Sequence, residues 1–334
     1  MGSVTIADVA KLAKVSNSTV SQYLNKRYDY MSIKTRRRIE AAIEELNYKP
    51  NIIARSLVQK STFTVGVIVA NILHYFSTHV IRAIENYFNE KGFHIIVCNA
   101  DDEPEKERKY IEVLRAKQVD GMIIFPTGDN IDLYKEMIKD DFPIVFMDRI
   151  IKDLPISSVL LDNHLAAQMA VDHFVEQGHS RIAIVTTSII RQISPRVERI
   201  EGYKIALQNH GLEINSEYIK TADIDKVFDA LKELFSLNAP PNAIIAGNDI
   251  VLIEMLKYIK KYQIKIPDEV AVIGIDDVTT ASLFTPSITT ISQPAIEMAN
   301  RAVDLLLNKI EKNTEPEEKL VFRMNPSLVK RDSC

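Results

Sequence analysis

The chain has 334 residues, of which 46% are hydrophobic and 26% charged, and this length allows two or three domains. No apolar run reaches the roughly 18 residues of a membrane helix, so we expect no membrane partner. The first residues lack the basic and then apolar pattern of a secretory signal, which predicts a cytoplasmic protein. Cys98 and Cys334 lack metal-ligand spacing, so we expect free thiols, no metal and no cofactor.

Charge is unevenly distributed along the chain. Residues 1–60 carry 11 Lys and Arg against 5 Asp and Glu, a net charge of +6. The remaining residues carry 30 against 40, a net charge of −10. A basic segment on an acidic body favours contact with nucleic-acid phosphates through the basic segment alone.

The basic segment opens with a pattern that predicts a short capped helix. Thr5 is placed to cap it, and Asp8, three residues later, completes a capping box. An apolar stripe then follows, which we expect to face inward: Val9, Ala10, Leu12 and Ala13.

A second helix is predicted directly afterwards, with Ser16 as its cap. It opens with small polar residues, and we expect it to bury Val20 and Leu24. The i,i+4 spacing places Ser18 and Gln22 on one face. A polar-faced helix backed by another helix is typical of a helix-turn-helix that enters the major groove. The alternative is an ordinary pair of antiparallel helices in a larger helical domain.

Ser32 is placed to cap a third helix, near whose start stand Arg36, Arg37 and Arg38. Positive charges at a helix start interact unfavourably with the helix dipole, and a nearby phosphate would relieve this repulsion. The alternative is a solvated charged face. After Pro50, residues 51–57 form a segment too short to remain helical alone in water.

The order of these motifs resembles the lactose-repressor/galactose-repressor (LacI/GalR) family of bacterial regulators. The matching runs are V-T-I-A-D-V-A-K-L-A from Val4, T-R-R-R-I-E-A-A-I-E-E-L-N-Y-K-P-N from Thr35, and A-R-S-L from Ala54. T-V-S-Q-Y-L-N and Y-D-Y-M-S are similar to regulators of ketogluconate or pectin-sugar use within that family.

The resemblance implies a helix-turn-helix DNA-binding domain over residues 1–50 and a hinge over 51–61. Paired hinges would enter the minor groove, where Leu57 would wedge between base steps, whereas a plain linker is the alternative. Gln22 stands where relatives commonly carry arginine, and its amide matches adenine rather than guanine. The implied contacts to operator DNA are Thr5, Ser16, Asn17, Ser18, Gln22, Asn25, Arg36, Asn51, Ala54, Arg55 and Leu57.

From residue 63 onward, short apolar runs alternate with amphipathic helical patterns. This alternation predicts βαβ units and parallel sheets, with each apolar strand covered on both faces. The pattern restarts near residue 162, which predicts two subdomains. We expect one to span about 62–161 plus 292–318, and the other about 162–291 plus 319–334. The fold class is therefore an all-α head with an α/β body of periplasmic-binding-protein-like type, the last term being implied by the resemblance.

Polar side chains follow several predicted strands, where ligands of open α/β sheets bind. Neither G-x-G-x-x-G nor a P-loop motif is present, which argues against nucleotide sites. Carboxylates, an amide and guanidinium groups at one edge suit a sugar or sugar acid.

The resemblance places contacts with such an effector at specific positions of the body. Ile224 stands where relatives often carry a stacking aromatic, and Arg196 is one residue from the usual spacing to Gly202. For each charged member, and for Asn248, the alternative role is a structural cap or ion pair. The implied contacts are Tyr75, Phe76, Asp148, Arg196, Arg199, Ile224, Asn248 and Asp276.

We therefore predict a homodimeric transcription repressor whose affinity for operator DNA is set by a small sugar or sugar acid between the two halves of the body. One alternative keeps the regulator but replaces the small molecule with a protein corepressor. A solute-binding protein would share the body but not the head. An enzyme is disfavoured, because neither a nucleophile elbow nor a metal-ligand set appears in the sequence.

Overall fold

The computed structural model describes residues 4–29, 31–49, 61–312 and 320–334. The chain divides into two compact units, Met1–Thr62 and Phe63–Cys334, called here the head and the body. The predicted hinge, residues 51–61, lies outside the described residues except for residue 61. Among the described residues, no helix is both long enough and apolar enough to cross a membrane.

The described residues of the head form three helices, α1 (Ile6–Ala13), α2 (Asn17–Leu24) and α3 (Ile33–Glu45). Their starts are fixed by local hydrogen bonds. The Asp8 backbone N–H donates to Thr5 Oγ1 at 3.4 Å, and the Thr5 N–H donates to Asp8 Oδ2 at 2.8 Å, which completes the predicted capping box. Ser16 and Ser32 cap the other two helices, as predicted.

The head core is small and is built by the inward faces of the three helices. Leu12 is 40% exposed, so its predicted place in the core is wrong. At 3.6 residues per turn, Leu12 lies on the flank of the stripe that Val9, Ala10 and Ala13 define. The fully enclosed core residues are Val9, Ala10, Ala13, Val20, Ile39 and Ala42.

The body begins with alternating strands and helices. In chain order these are β1 (Thr64–Val69), α4 (Tyr75–Glu90), β2 (His94–Asn99), α5 (Pro104–Ala116), β3 (Gly121–Ile124), α6 (Ile131–Lys139), β4 (Ile144–Met147) and β5 (Ser158–Leu161).

The alternation then repeats. The next elements are α7 (Asn163–Glu176), β6 (Ile182–Thr187), α8 (Ser194–Asn209), β7 (Ile219–Ala222) between two single-turn 3-10 helices (Ser216–Tyr218 and Ile224–Lys226), α9 (Val227–Phe235), β8 (Ala243–Ala246), α10 (Asp249–Tyr262), β9 (Ala271–Ile275), α11 (Thr279–Leu283), β10 (Thr289–Ser292), α12 (Ala295–Ile310), β11 (Val321–Met324) and β12 (Ser327–Val329).

These strands form two six-stranded sheets, as the sequence predicted. The first has the order β11-β5-β4-β3-β1-β2 and the second β12-β10-β9-β8-β6-β7. All neighbouring strands are parallel except β10 and β12, which are antiparallel. We call the first sheet with α4, α5, α6 and α12 the first lobe, and the second sheet with α7 to α11 the second lobe.

Helices cover both faces of each sheet. In the first lobe, α4 and α12 pack on one face and α5 and α6 on the other. In the second lobe, α9 and α10 cover one face and α7 and α8 the other. The central strands are accordingly buried throughout, whereas edge strand β2 is only half-buried.

The chain passes between the lobes three times: from β5 to α7, from β10 to α12, and from β11 to β12. The last passage corrects the predicted subdomain boundary, which assigned residues 319–334 to the second lobe. Val321–Met324 instead pairs in parallel with β5 of the first sheet. Strand pairing of this kind is a long-range contact that a four-residue apolar pattern does not specify.

Candidate functional site

The outer face of α2 carries the exposed polar side chains of the head. Asn17, Ser18 and Gln22 are all exposed. Ser16 is partly committed to structure, because its Oγ accepts from the Thr19 N–H at 3.1 Å and lies 2.7 Å from Ser18 Oγ. The exposed side chains of Asn17, Ser18 and Gln22 can therefore contact a ligand, while Ser16 caps the helix.

Other predicted DNA contacts of the head have structural partners. The Arg36 guanidinium lies 3.7 Å from the centre of the Tyr28 ring. Asn25 Nδ2 donates to the Ser21 carbonyl oxygen at 2.9 Å. Arg38 donates to the Lys14 carbonyl oxygen at 3.3 Å, which satisfies the end of α1. These side chains are therefore engaged within the head itself; Asn51, Ala54, Arg55 and Leu57 lie outside the described residues.

In the body, an inner cavity of about 50 Å³ lies between the lobes, where parallel strands end. Six of the eight predicted effector contacts line it: Phe76, Asp148, Arg196, Arg199, Asn248 and Asp276. The structure adds nine more lining residues, which are Ala70, Asn71, His74, Ser77, Phe125, Arg149, Ile193, Pro195 and Gln293.

Two aspartates are directed into the inner cavity by their backbone conformation. Asp148 follows β4 and Asp276 follows β9, with left-handed φ angles of 65° and 90°. The N–H of Asp148 still donates to the Val159 carbonyl at 2.9 Å, and that of Asp276 to the Ile291 carbonyl at 2.9 Å. Each residue thus continues the sheet hydrogen bonding while its backbone turns away from the strand.

Burial changes the protonation of these carboxyl groups. It raises the pKa of Asp148, although the nearby Arg149 and Arg199 charges oppose the change. It also raises the pKa of Asp276, assisted by the neighbouring Asp249 charge. Both groups therefore hold their negative charge less readily than an exposed aspartate does.

Arg199 and Asn248 serve the second lobe as well as the cavity. Arg199 donates from Nε to Asn163 Oδ1 at 2.9 Å and from a terminal nitrogen to the Gly247 carbonyl oxygen at 2.6 Å. Asn248 caps α10, since its Oδ1 accepts from the Val251 N–H at 2.9 Å. The structural role that was the alternative for both residues is real, and it fixes their side chains at the cavity wall.

Several contacts join the lobes around the inner cavity. Asp249 of the second lobe accepts from His74 Nδ1 and from the Tyr75 N–H, both at 2.6 Å. The Ile150 N–H donates to Ser194 Oγ at 3.0 Å. Two further hydrogen bonds, of 2.7 and 2.9 Å, join Arg323 of the first lobe to Glu198 of the second. The lobes are therefore closed on each other.

Asp102, on the turn after β2, joins a cluster of arginines at the edge of the inner cavity. Its Oδ1 accepts from Arg149 at 2.6 Å, and its Oδ2 lies 3.4 Å from Arg196 of the second lobe. Burial would raise the pKa of Asp102, but Arg149 and Arg196 outweigh it and lower the pKa. Burial and the neighbouring Arg149 charge lower the pKa of Arg196 to about 10.

The two remaining predicted contacts lie outside the inner cavity. Tyr75 stacks on His79, with ring centres 3.8 Å apart, and lines a separate groove of about 620 Å³. Ile224 is 40% exposed and lines another groove, of about 460 Å³, which Asp102 and Arg196 share. We call the latter the Asp102 groove. Ile224 precedes α9 on a 3-10 turn, which keeps it at this outer position.

Two family models match parts of the chain. Residues 5–51 match the family model described as bacterial regulatory proteins, lacI family, and residues 171–334 match that of a periplasmic binding protein-like domain. The probable HTH-type transcriptional regulator EndR of Paenibacillus polymyxa is 46% identical over 332 residues, which cover 98% of each chain. The chain belongs to the lacI family.

Other members of the lacI family match along the whole chain. The ribose operon repressor of Escherichia coli strain K12 is 33% identical over 334 residues, or 99% of each chain. A solved structure of the Lac repressor dimer bound to operator and the anti-inducer ONPF has a TM-score of 0.85 at 26% identity, covering 99% of each chain. The predicted family and fold class are confirmed, and the chain is a lacI-family transcription regulator.

Asp102 and Gln293 are among the polar residues of this lacI-family body that the sequence analysis did not assign to the site. Asp102 was detectable in principle, since it follows the predicted second strand as Asp148 follows the fourth. Gln293 directly follows β10 and lines the cavity, where its Nε2 donates to Asp276 Oδ1 at 2.5 Å. Gln293 Oε1 and Arg149 Nε are buried and have no hydrogen-bond partner among the described residues.

Proposed function

We propose that this protein is a repressor that binds operator DNA as a homodimer and that a small sugar or sugar acid in the inner cavity controls its operator affinity. The head provides the DNA contacts through the exposed face of α2, assisted by a hinge over residues 51–61. The body provides the sensing site. This function involves no catalysis, and we place the protein in the cytoplasm, where operator DNA is found.

Dimeric binding to an operator is supported by the similarity to the Lac repressor, which was solved as a dimer on its operator. Two heads related by a twofold axis match two half-sites of a pseudo-palindrome. The net positive charge of residues 1–60 supports contact with the phosphates.

Control by a small molecule is supported above all by one observation: both lobes line the inner cavity, and hydrogen bonds hold them closed around it. At about 50 Å³ the cavity is far smaller than the roughly 300–1,000 Å³ of ordinary ligand pockets. A sugar ring therefore needs the lobes to separate. A ligand that prefers the open arrangement shifts the population toward it, and this is how occupancy would change the head.

The test uses the full-length protein and a site selected from random double-stranded DNA, with operator binding measured by fluorescence anisotropy. A panel of hexoses, pentoses and sugar acids is then added. At least one compound should change the operator Kd by fivefold or more, which is within the usual range of allosteric coupling. If no compound changes it, control by a sugar is refuted, while selection of a defined DNA site would still establish the regulator.

Two variants connect the response to the inner cavity. Asp276→Asn keeps the size of the side chain and its left-handed backbone, so operator binding should persist while the response to the active compound is lost. Asp268→Asn is the matched control, because Asp268 is an exposed aspartate of the same lobe. An unchanged response in Asp276→Asn would place the sensing site elsewhere.

A further inference from the structure

The inner cavity has more guanidinium than carboxylate groups among its lining residues. Arg149, Arg196 and Arg199 line it, against Asp148 and Asp276. Burial raises the pKa of both aspartates, which further reduces the negative charge available to the arginines. Arginine stays protonated in proteins, so the excess positive charge requires an anionic partner.

That partner is supplied by Asp102, a residue of the Asp102 groove rather than of the cavity lining. Its carboxylate oxygens face Arg149 of the first lobe and Arg196 of the second, at 2.6 and 3.4 Å. Its backbone carbonyl oxygen also accepts from Arg191 of the second lobe. One carboxylate therefore contacts both guanidinium groups from the Asp102 groove, which shares Ile193 and Arg196 with the cavity lining.

Arg149 retains unused binding capacity toward the cavity. Its side chain is 7% exposed, and its Nε has no hydrogen-bond partner among the described residues. The nearest carboxylate oxygen, Asp148 Oδ2, lies 3.7 Å from that Nε, too far for a hydrogen bond. A guanidinium presents its donors as a planar fork that a single carboxylate can bind twice. Asp102 and, at 3.4 Å, the Pro126 carbonyl oxygen accept from one terminal nitrogen of that fork, whereas Nε has no hydrogen-bond acceptor among the described residues.

We propose that the effector is a sugar acid whose carboxylate replaces the Asp102 carboxylate on Arg149 and Arg196. This rests on the proposed function, since it specifies the ligand of the same cavity. A neutral sugar has no group that could neutralise the two arginines once Asp102 is displaced, because a hydroxyl carries no charge. A sugar acid supplies the charge and can also accept from Arg149 Nε.

The exchange of carboxylates also explains how binding would act on the lobes. Asp102 connects the first lobe to Arg196 and Arg191 of the second. When a ligand carboxylate displaces it, the contacts of Asp102 with Arg196 and Arg191 are lost, and the ligand carboxylate takes the place of Asp102 between Arg149 and Arg196. The ligand shifts the equilibrium between closed and separated lobes by the difference between its affinities for the two arrangements.

The test is isothermal titration of the full-length protein with matched pairs of ligands. The acids are D-glucuronate, D-galacturonate, D-gluconate, 2-keto-D-gluconate and 2-keto-3-deoxy-D-gluconate, and the neutral counterparts are D-glucose and D-galactose. At least one acid should bind with a Kd at least tenfold below that of both neutral sugars. Asp102→Asn should lower the Kd for that acid threefold or more, because the competing carboxylate is gone. Arg149→Gln should raise it tenfold or more.

Asp132→Asn is the control for charge, because Asp132 pairs with Arg108 on the surface and lines neither cavity nor groove. It should leave the Kd unchanged. Thermal unfolding shows whether each variant is folded. If Arg149→Gln does not fold, Arg149→Lys replaces it and keeps the positive charge. Arg149→Lys should bind the acid more weakly than the wild type does, but more tightly than Arg149→Lys binds any neutral sugar.

The outcomes separate this inference from the proposed function. Tight binding of neutral sugars alone overturns the inference and leaves a sugar-controlled repressor. Binding of an acid with an unchanged or higher Kd in Asp102→Asn overturns the role of Asp102. If neither acids nor neutral sugars bind, both the inference and control by a sugar fail.

Discussion

Asp249 caps a helix of the opposite lobe. Its carboxylate accepts from the Tyr75 N–H at the start of α4, from His74 Nδ1 and from the Ile250 N–H. The N-terminus of a helix carries a partial positive charge, so a carboxylate there is favourable. His74 has no side-chain capping bond of its own. A cap that would normally be local therefore contributes to holding the lobes together.

This contact should make the stability of the body depend on pH. Burial lowers the pKa of His74, but the Asp249 hydrogen bond and the Asp249 and Asp276 charges outweigh it, and the net pKa lies above the ordinary 6.5. The pKa of Asp249 is lowered despite burial, because His74 hydrogen-bonds to it. Stabilisation by His74 is thus complete below pH 6.5 and is lost as the pH rises through its raised pKa.

Melting temperatures of the wild type and of His74→Gln, measured from pH 6 to pH 9, check this expectation. The wild type should be the more stable protein at the acidic end, and the difference should shrink toward the alkaline end. A difference that stays constant across the range would mean that the protonation of His74 contributes nothing to closure.

Gln22 leads to a second prediction, which concerns the base that the protein prefers. Its side chain is exposed on α2 beside Ser18, and its amide can pair with N6 and N7 of adenine. Gln22→Arg should move the preferred base toward guanine at one symmetric position per half-site. A bidentate contact discriminates by about 1–3 kcal/mol, so the change should be visible in sites selected from random DNA. Ser21→Ala, beside it on the same helix, is the control; identical preferences for wild type and Gln22→Arg would exclude base recognition by Gln22.

At the scale of elements, the packing of α7 against α8 depends on Gly202. A Cβ placed there would lie 2.5 Å from the His164 carbonyl oxygen and 2.6 Å from its Cα, both atoms of the backbone. The two helices therefore approach more closely than any larger residue permits. This close approach positions α8, which carries Arg196 and Arg199.

Gly202→Ala should accordingly destabilise the body. Alanine favours the helix by about 1 kcal/mol over glycine, but overpacking costs about 1–3 kcal/mol and contact with backbone atoms lies at the high end. We expect a net loss of about 1–2 kcal/mol, measured as the change in the urea midpoint of unfolding. Lys204→Ala, an exposed change in the same helix, should stay within about 0.5 kcal/mol of the wild type. A more stable Gly202→Ala would contradict the close packing.

Elements that depend on nearby residues were predictable from the sequence. Thr5, Ser16 and Ser32 cap helices through hydrogen bonds to residues three positions away, so the caps are visible in the sequence itself. The alternation of strands and helices likewise gave the two parallel sheets. The pairing of β11 with β5 was not predictable, because it joins residues more than 150 positions apart.

The same distinction applies to the inner cavity. Residues that follow strands, such as Asp148 and Asp276, were predictable because the edge of a parallel sheet brings strand ends together. The contact of Asp102 with Arg149 and Arg196 depends on two separate loops, on the start of α8 and on the closure of the lobes. No spacing in the sequence encodes such a contact. Ile224 was predicted from the resemblance alone, and the structure places it in the Asp102 groove, outside the inner cavity.

At the scale of the whole molecule, three passages of the chain connect the lobes, and hydrogen bonds hold them closed. Three covalent connections at neighbouring points restrict the relative motion of two rigid bodies mostly to rotation about the line that joins them. The lobes can therefore open without unfolding, as in hinge motions of other two-lobed proteins. Most of the closing contacts are hydrogen bonds to charged groups, each worth about 1.5–3 kcal/mol, and a ligand that prefers the open arrangement competes with their sum.

The position of β11 and β12 has a consequence for how the protein is made. Each sheet takes an edge strand from residues 321–329, although the other strands of the first sheet are complete by Leu161. The ribosome adds about 5–20 residues per second, so the first lobe waits many seconds for its sixth strand. During that time the outer edge of β5 is unpaired, and an open strand edge invites aggregation. The head, by contrast, is continuous in sequence and can fold early. The head can therefore fold well before the two sheets of the body are complete.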